Sequence, residues 1–394
     1  MFNYFGEKML ESNIWKFTIF NITNKRIFVA ILSVYYMTIP DITIQNVGVI
    51  LLLGNLAGFL FEIPSGYLSD KIGHKRTLVL SRIFMILSTS CFLMGTNLYF
   101  LSFGSILLSL AFAFTSGTAS AFMHETLITL KRENDYGKVM GKIKSIGFAV
   151  PIILTILVPL LVNISYRLPF LIALFIDFIG LITAISFVSP KIKAEKIKEI
   201  SATNFKQVIQ KGKESGFLKW AIFFAFISGV GYALSAFRGP YQELLEIPVI
   251  YFGILLGVGR GIASLLLFFS GRFQRYFSLK SLVTFKFITY IILVGVLGFF
   301  SNLYFVATIF ILLNSLEWGV SQIENTLLLQ KIGKSRFKAT LLSVRGQMMQ
   351  IVSAFFAGGI GVLIHKTSYQ TGFIVLAFVI LSVYIVLIAT LKKR

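Results

Sequence analysis

Apolar blocks of roughly 20 residues recur along the whole 394-residue chain, and short charged gaps separate them. About 20 residues is the length that an α-helix needs to cross the hydrocarbon core of a bilayer. The composition agrees with this pattern, since 56% of the residues are hydrophobic and 13% are charged. A soluble protein carries about 25% charged residues. The sequence therefore predicts an all-α membrane protein that crosses the bilayer many times.

Twelve transmembrane helices are predicted, arranged as two six-helix bundles. They lie near residues 22–40, 45–69, 77–96, 98–123, 142–163, 166–188, 217–238, 249–271, 281–301, 303–327, 339–364 and 371–391. Residues 1–21 contain Lys8 and Lys16 among aromatic residues, so we expect a basic segment at the membrane surface. A polar linker at 189–216 separates the first bundle (22–188) from the second (217–394).

The distribution of Lys and Arg predicts the orientation of the chain. Of 37 such residues, only three, Arg167, Arg238 and Lys366, fall in the gaps on one side of the predicted spans. Cytoplasmic loops of membrane proteins carry the excess of basic residues. Both termini are therefore predicted to be cytoplasmic, which requires an even number of spans.

Several functional classes have no support in the sequence. The net charge of +21 lies in gaps between apolar blocks and forms no basic patch with interleaved aromatics, so nucleic acid is not expected as a partner. The single cysteine, Cys91, excludes a disulfide framework, and the three histidines lie far apart. No phosphate-binding Gly-x-x-x-x-Gly-Lys motif or nucleophile motif is present. We expect no enzyme activity, no metal and no cofactor.

Short matches between the two halves indicate an internal repeat. Ser65-Gly66 after the second predicted span corresponds to Ser270-Gly271 after the eighth, 205 residues later. Glu125-Thr126-Leu127 corresponds to Asn325-Thr326-Leu327, 200 residues later. A nearly constant offset over half of the chain is what two parallel repeats leave.

The charged stretch from Glu62 to Arg76 lies between two apolar blocks and is predicted to be a tight loop at the membrane face. Its part from Gly66 to Arg76 resembles the signature loop between the second and third helices of the major facilitator superfamily. The preceding Glu62-Ile63-Pro64-Ser65 resembles a branch common among bacterial proteins thought to be exporters. The fifth span, around 147–151, lacks the Gly-x-x-x-Gly-Pro-x-x-Gly-Gly pattern of many antiporters.

The resemblance implies a secondary active transporter that works by alternating access. We expect proton-coupled efflux (antiport) of a small amphiphilic compound across the plasma (inner) membrane of a bacterium. The protein would act as a monomer, with the small-molecule substrate and membrane lipid as its partners and the proton gradient as its energy source. An uptake symporter or facilitator for a small metabolite stays open, as does a membrane sensor or assembly protein that transports nothing.

The loop supplies candidates for a conformational latch. Gly66 would let the second helix approach a neighbour, and Gly73 would permit the turn of a helical hairpin. By the family resemblance, Asp70 would lie beside the start of the eleventh helix, and Arg76 or Lys75 would pair with Glu125. The alternative is that these basic residues only fix the topology.

Ionisable residues inside membrane spans are costly and therefore functional candidates. Glu62, Asp177 and Glu317 are the candidates for proton coupling. Arg260 is expected either to pair with Glu317 or to attract an anionic substrate. The candidate cavity residues are polar and aromatic: Tyr35, Tyr36, Asn55, Tyr232, Tyr241, Gln242, Asn314, Trp318 and Gln322.

Overall fold

The computed structural model describes residues 2–190, 205–269, 276–332 and 338–392. For several helical residues within these ranges it describes the backbone alone. The described chain is made of helices and turns. The α-helices are α1 (Phe2–Thr23), α2 (Leu32–Met37), α3 (Ile44–Ile72), α4 (His74–Met94), α5 (Leu98–Thr129), α6 (Tyr136–Leu157), α7 (Leu168–Ile185), α8 (Phe205–Glu214), α9 (Phe217–Leu244), α10 (Phe252–Phe268), α11 (Leu279–Phe299), α12 (Leu303–Ile332), α13 (Lys338–Lys366) and α14 (Tyr369–Lys392).

Within the described ranges, eleven helical segments are long and apolar enough to cross a membrane. They begin with Ile44–Ser69 and end with Tyr369–Thr390. These segments agree with the second to twelfth predicted spans. The all-helical membrane fold is therefore confirmed, whereas the count of twelve and the side of each terminus stay predictions.

The first predicted span, 22–40, is wrong in its position. The structure has one helix from Phe2 to Thr23, then turns, then the short α2. Phe17 and Phe20 of α1 are fully buried in a cluster with residues of α5, α6 and α7, so residues 1–21 are not a surface segment alone. Aromatic residues three apart lie on one helix face and favour this burial.

The chain forms two compact units by its internal contacts. Unit 1 contains Met1–Ala30 and Leu56–Ala202, and unit 2 contains Ile31–Asn55 and Thr203–Arg394. The sequence predicted that 31–55 would belong to the first bundle, whereas its contacts lie in unit 2. The predicted linker, 189–216, lies mostly outside the described residues.

Glycines explain why the start of α3 belongs to unit 2. A Cβ added to Gly48 would collide with the carbonyl oxygen of Ala357, and one added to Gly361 would lie 3.1 Å from the Cα of Gly48. Asn55 also donates a hydrogen bond to the Ser353 hydroxyl of α13 at 3.1 Å. Backbone contact of this kind requires residues without side chains.

The predicted loop from Glu62 to Arg76 is mostly helix. α3 continues through Pro64 to Ile72, and α4 begins at His74. Gly73 separates the two helices with φ of +92°, a conformation that glycine adopts without steric cost. The turn predicted at Gly73 is therefore present, but it is one residue long.

Candidate functional site

Polar side chains link α3, α4 and α5 of unit 1 around Gly73. The Thr118 hydroxyl donates to Ser69 at 3.0 Å, and Ser69 lies 2.8 Å from Nδ1 of His74. The other ring nitrogen of His74 lies 3.1 Å from the Glu125 carboxylate. This chain of contacts holds the end of α5 against the start of α4.

The predicted partner of Glu125 was wrong. His74 makes that contact, because it begins α4 and its ring turns back towards α5, whereas Arg76 is exposed and Lys75 half-buried. The close approach expected at Gly66 is also not seen, since no described atom lies within 4 Å of a Cβ added there. The side chain of Asp70 lies outside the described residues, so its latch role stays a prediction.

Glu62 lies inside α3, beside α5. Its carboxylate accepts a hydrogen bond of 2.8 Å from the Ser116 hydroxyl. No ion pair involves Glu62 among the described residues. The carboxylate is only partly shielded from solvent.

Asp177 of α7 is fully buried and paired in unit 1. Both ends of the Arg26 guanidinium donate to it, at 2.5 and 2.9 Å, and the Thr89 hydroxyl donates at 2.6 Å. A buried carboxylate with a bidentate partner is held strongly in one geometry. The proton-coupling role predicted for Asp177 stays untested, and these contacts favour a structural role.

Arg82 of α4 lies beside this pair and is completely buried. It donates to the carbonyl oxygen of Phe20 and stacks over the Phe20 ring, with 3.9 Å between guanidinium carbon and ring centre. Arg26 likewise donates to the carbonyl oxygen of Thr23 at 2.9 Å. Two arginines therefore satisfy carbonyls in the last turn of α1, where the helix stops inside the predicted membrane region.

The densest buried charge cluster described in unit 2 centres on Lys286 of α11. Its ammonium, 1% exposed, contacts the Glu317 carboxylate at 3.3 Å, the Glu324 carboxylate at 3.0 Å and the Ser228 hydroxyl at 3.1 Å. Glu317 also accepts from the Tyr290 hydroxyl at 2.9 Å. The two carboxylates are seven residues apart on α12, which places them on one helix face.

Glu324 has a second cationic partner, Arg345 of α13. Arg345 contacts the other oxygen of Glu324 and donates to the Asn325 side chain at 2.7 Å. We call Lys286, Glu317, Glu324 and Arg345 the unit 2 charge network. It holds two acids and two bases, so its formal charge is zero when all four are ionised.

A small cavity of about 40 Å³ opens beside this network. Glu317 lines it and is 14% exposed, whereas Glu324 is 1% exposed. Tyr232, Asn314 and Trp318, all expected from the sequence to line a cavity, lie in its wall with Tyr290. The volume suits about three water molecules.

The predicted pair of Arg260 with Glu317 is wrong, because Lys286 occupies the carboxylate. Arg260 instead lies over the Trp318 ring, 5.3 Å from its centre. Tyr241 and Gln242 do not line this cavity. Tyr241 is buried and stacks on Tyr369, with ring centres 4.7 Å apart. The side chain of Gln322 lies outside the described residues.

Five charged residues of these clusters were not predicted from the sequence: Arg26, Arg82, Lys286, Glu324 and Arg345. Each lies inside a predicted span, and the four basic residues lie near enough to its basic end to be counted as a topology signal. The same rule that selected Asp177 and Glu317 selects them when it is applied to whole spans.

The arrangement in unit 2 allows a change of protonation at Glu317. Among the residues that the structure describes, no group of three or more His, Cys, Asp or Glu side chains could hold a metal ion. Glu317 lines a cavity that can hold water. When Glu317 gains a proton, its two hydrogen-bond donors, Lys286 and Tyr290, can change their contacts with it. Lys286 then still has Glu324 as a partner.

Comparisons with known proteins give one family and one fold. The sequence profile of the Major Facilitator Superfamily matches residues 15–357. No curated protein sequence matches the chain.

Among solved structures, the nucleoside transporter NupG is similar with a TM-score of 0.76 and 13% identity, over 97% of this chain and 100% of that one. A POT family transporter in complex with a thioalcohol-conjugated peptide is similar with a TM-score of 0.71 and 12% identity, over 97% of this chain and 96% of that one. A bacterial homologue of the human lysosomal transporter Spinster is similar with a TM-score of 0.67 and 16% identity, over 92% of this chain and 84% of that one. At these identities the likeness concerns the fold alone.

Proposed function

Because the chain belongs to the Major Facilitator Superfamily, we propose that it is a secondary active transporter that works by alternating access. The eleven membrane-length helices support this proposal. The internal repeat, with offsets of 200 to 205 residues, supports it too. The proposed site of action is the plasma membrane of a bacterium, where a proton gradient is available.

Glu317 is the proposed proton-coupling residue, and its geometry is the observation that carries the proposal. It is the member of the network that combines a cavity-facing carboxylate with a single cationic partner, Lys286. The unit 2 charge network is neutral with Glu317 ionised, so a proton on Glu317 adds one positive charge in a poorly polarisable environment. Such a state is costly unless water reaches it. Protonation therefore depends on which side the cavity opens to.

Lys286 is the proposed moving part of the coupling step. When Glu317 is ionised, Lys286 is shared between two carboxylates that lie about two turns apart on one face of α12. When Glu317 is protonated, the ammonium is attracted by Glu324 alone, and Ser228 keeps one donor satisfied. The change of partner shifts α11 relative to α12, so that protonation of Glu317 is coupled to a movement of helices.

The proposed cargo is a small amphiphilic compound that is exported in exchange for protons. The walls of the cavity combine the rings of Tyr232 and Trp318 with the polar Asn314 and Glu317. A few polar groups among aromatic side chains suit amphiphilic ligands. Because the cavity within unit 2 holds only water-sized groups, it would take one end of such a compound.

A ligand screen on the purified full-length protein tests the transport proposal. Binding raises the melting temperature of a native protein, so a panel of amphiphilic dyes and metabolites can be ranked by thermal shift. The best ligand is then added to proteoliposomes that contain a pH-sensitive dye. We expect ligand-dependent proton movement opposite to the ligand, with empty liposomes as the control.

Three results would count against parts of the proposal. Ligand movement that ignores a pH gradient would remove proton coupling. Protons that move in the same direction as the ligand would replace efflux with uptake by symport. Binding without any translocation would favour a sensor.

A further inference from the structure

A second and much larger cavity lies in unit 1, between α1 and α6. Its volume is about 710 Å³. Its apolar part is lined by Ile14, Trp15, Ile19, Ile143 and Ile146. Trp15 and Ile146 are 57% and 37% exposed, so this cavity is an open groove rather than a sealed void. We call it the α1–α6 crevice.

Charged residues lie along the other part of the crevice. Arg132 contacts the Glu11 carboxylate at 3.2 Å and the Asp135 carboxylate at 3.1 Å. These side chains are between 39% and 60% exposed. Exposed ion pairs of this kind are weak and exchange readily for other partners.

Lys142 also lines the crevice and extends the charge along α6. It lies seven residues after Asp135, which is about 10 Å along a helix. No ion pair involves Lys142 among the described residues. A long basic side chain at such a place keeps its ammonium in the polar layer while its stem lies against apolar surface.

The crevice lies at the start of a helical segment that is long and apolar enough to cross a membrane. The apolar segment of α6 runs from Lys142 to Asn163, counting the short turn of helix that follows α6. α1 and α6 run in the same direction here, because Arg132 contacts Glu11 at one end and Gly147 approaches Asn21 at the other. The charged part therefore faces the headgroup layer, and the isoleucines face the hydrocarbon.

We propose that the α1–α6 crevice binds a single phospholipid with a primary-amine headgroup, phosphatidylethanolamine. Its phosphate would contact Lys142 and Arg132, and its ammonium would contact Glu11 and Asp135. One acyl chain would lie along Ile14, Ile19 and Ile146. The charges of the crevice, two acids and two bases, complement a headgroup that carries one charge of each sign.

The charges also separate this lipid from its competitors. An anionic phosphatidylglycerol headgroup would satisfy the two bases but leave both acids facing a negative neighbour. A choline headgroup carries the same charges as ethanolamine but has no N–H to donate to a carboxylate. The inference does not depend on the transport proposal.

Trp15 supplies a direct probe of this site. The chain has three tryptophans, so replacing Trp220 and Trp318 by Phe leaves Trp15 as the sole fluorophore. The full chain would be reconstituted in phosphatidylcholine vesicles that contain an equal small fraction of brominated phosphatidylethanolamine, brominated phosphatidylglycerol or brominated phosphatidylcholine. Bromine on an acyl chain quenches a neighbouring indole.

We expect the strongest quenching of Trp15 from brominated phosphatidylethanolamine. Lys142→Gln should lower the apparent affinity for that lipid by up to about fivefold, the upper end of what one exposed ion pair contributes. Lys144→Gln is the matched control, because Lys144 is exposed on the same helix and lines no part of the crevice. It should leave the preference unchanged.

Equal quenching by all three lipids would overturn the proposal, as would a preference that survives Lys142→Gln. Stronger quenching by phosphatidylglycerol would replace it with a simple anionic-lipid site. If the tryptophan variant does not fold, native mass spectrometry of the wild-type protein with the three lipids decides the matter. A retained phosphatidylethanolamine molecule, lost in Lys142→Gln, supports the site, and retention equal to that of the other lipids contradicts it.

Discussion

Lys286 is the cation that both Glu317 and Glu324 contact, so the unit 2 charge network depends on it. Lys286→Met keeps the apolar stem but leaves Glu317 without a described cation and Glu324 with Arg345 alone. Removing one partner of a buried pair costs about 3–5 kcal/mol. We expect a loss of this size in the free energy of unfolding, measured in detergent. Lys280→Met, at an exposed position of the same helix, is the control.

The double variant Lys286→Met with Glu317→Gln separates charge from packing. Because it removes both unlike charges, it should recover part of the stability lost by Lys286→Met. A double variant as unstable as the sum of the two single changes would mean that the two charges have no coupling energy, which would contradict the ion pair.

The two glycines of the predicted latch differ in backbone conformation, and only one of them adopts a conformation that favours glycine. Gly73 has φ of +92° and Gly66 lies in α3 with open space around it. Gly73→Ala should therefore cost about 1–3 kcal/mol through backbone strain. Gly66→Ala should gain about 0.5–1 kcal/mol from its helix propensity. Thermal unfolding of both variants checks this, and equal behaviour would contradict the helix boundary at Gly73.

At the level of elements, the packing of α3 on α13 depends on glycine. Gly48→Leu would force the two backbones apart, because its Cβ already meets the Ala357 carbonyl. Overpacking of this kind costs roughly 1–3 kcal/mol. Gly359→Leu is a matched control, since no described atom lies within 4 Å of a Cβ there. We expect a lower melting temperature for the first variant alone, and an unchanged one for both would exclude this contact.

Most elements could be predicted from the sequence, because a span of about 20 apolar residues has one physical solution in a bilayer. α1 could not, since Lys8 and Lys16 made residues 1–21 look like a surface segment, whereas Phe17 and Phe20 are buried in the core of unit 1. At the break before α2, Arg26 donates to the nearby Thr23 carbonyl, whereas Arg82 of α4 donates to the Phe20 carbonyl from 62 residues further along the chain.

The candidate site was harder to predict than the fold. Glu317 and Trp318 were identified because each lies in the middle of an apolar block. The cations of the unit 2 charge network were not identified, because Lys286 and Arg345 come from other helices than the acids they contact, and pairing between helices leaves no trace in one sequence. A lysine near the end of a span is explained equally well by the excess of basic residues at the cytoplasmic face and by an ion pair with a carboxylate.

At the scale of the whole molecule, the predicted orientation can be measured with cysteine labelling. Cys91 is the one native cysteine, so Cys91→Ser gives a cysteine-free chain. Glu133→Cys or Asn302→Cys then places a thiol in predicted loops on opposite sides. A membrane-impermeant maleimide added to intact cells should label the second variant and not the first. The reverse result would invert the topology and the direction of proposed efflux.

Glu317 is the residue proposed to couple a proton to transport, and the variant Glu317→Gln tests this role. Once a ligand is identified, proteoliposomes with Glu317→Gln can be assayed in two ways. We expect that exchange of labelled for unlabelled ligand persists without a gradient, whereas a pH gradient no longer drives net movement. Net movement driven as in the wild type, or the loss of both activities in a folded variant, would contradict it.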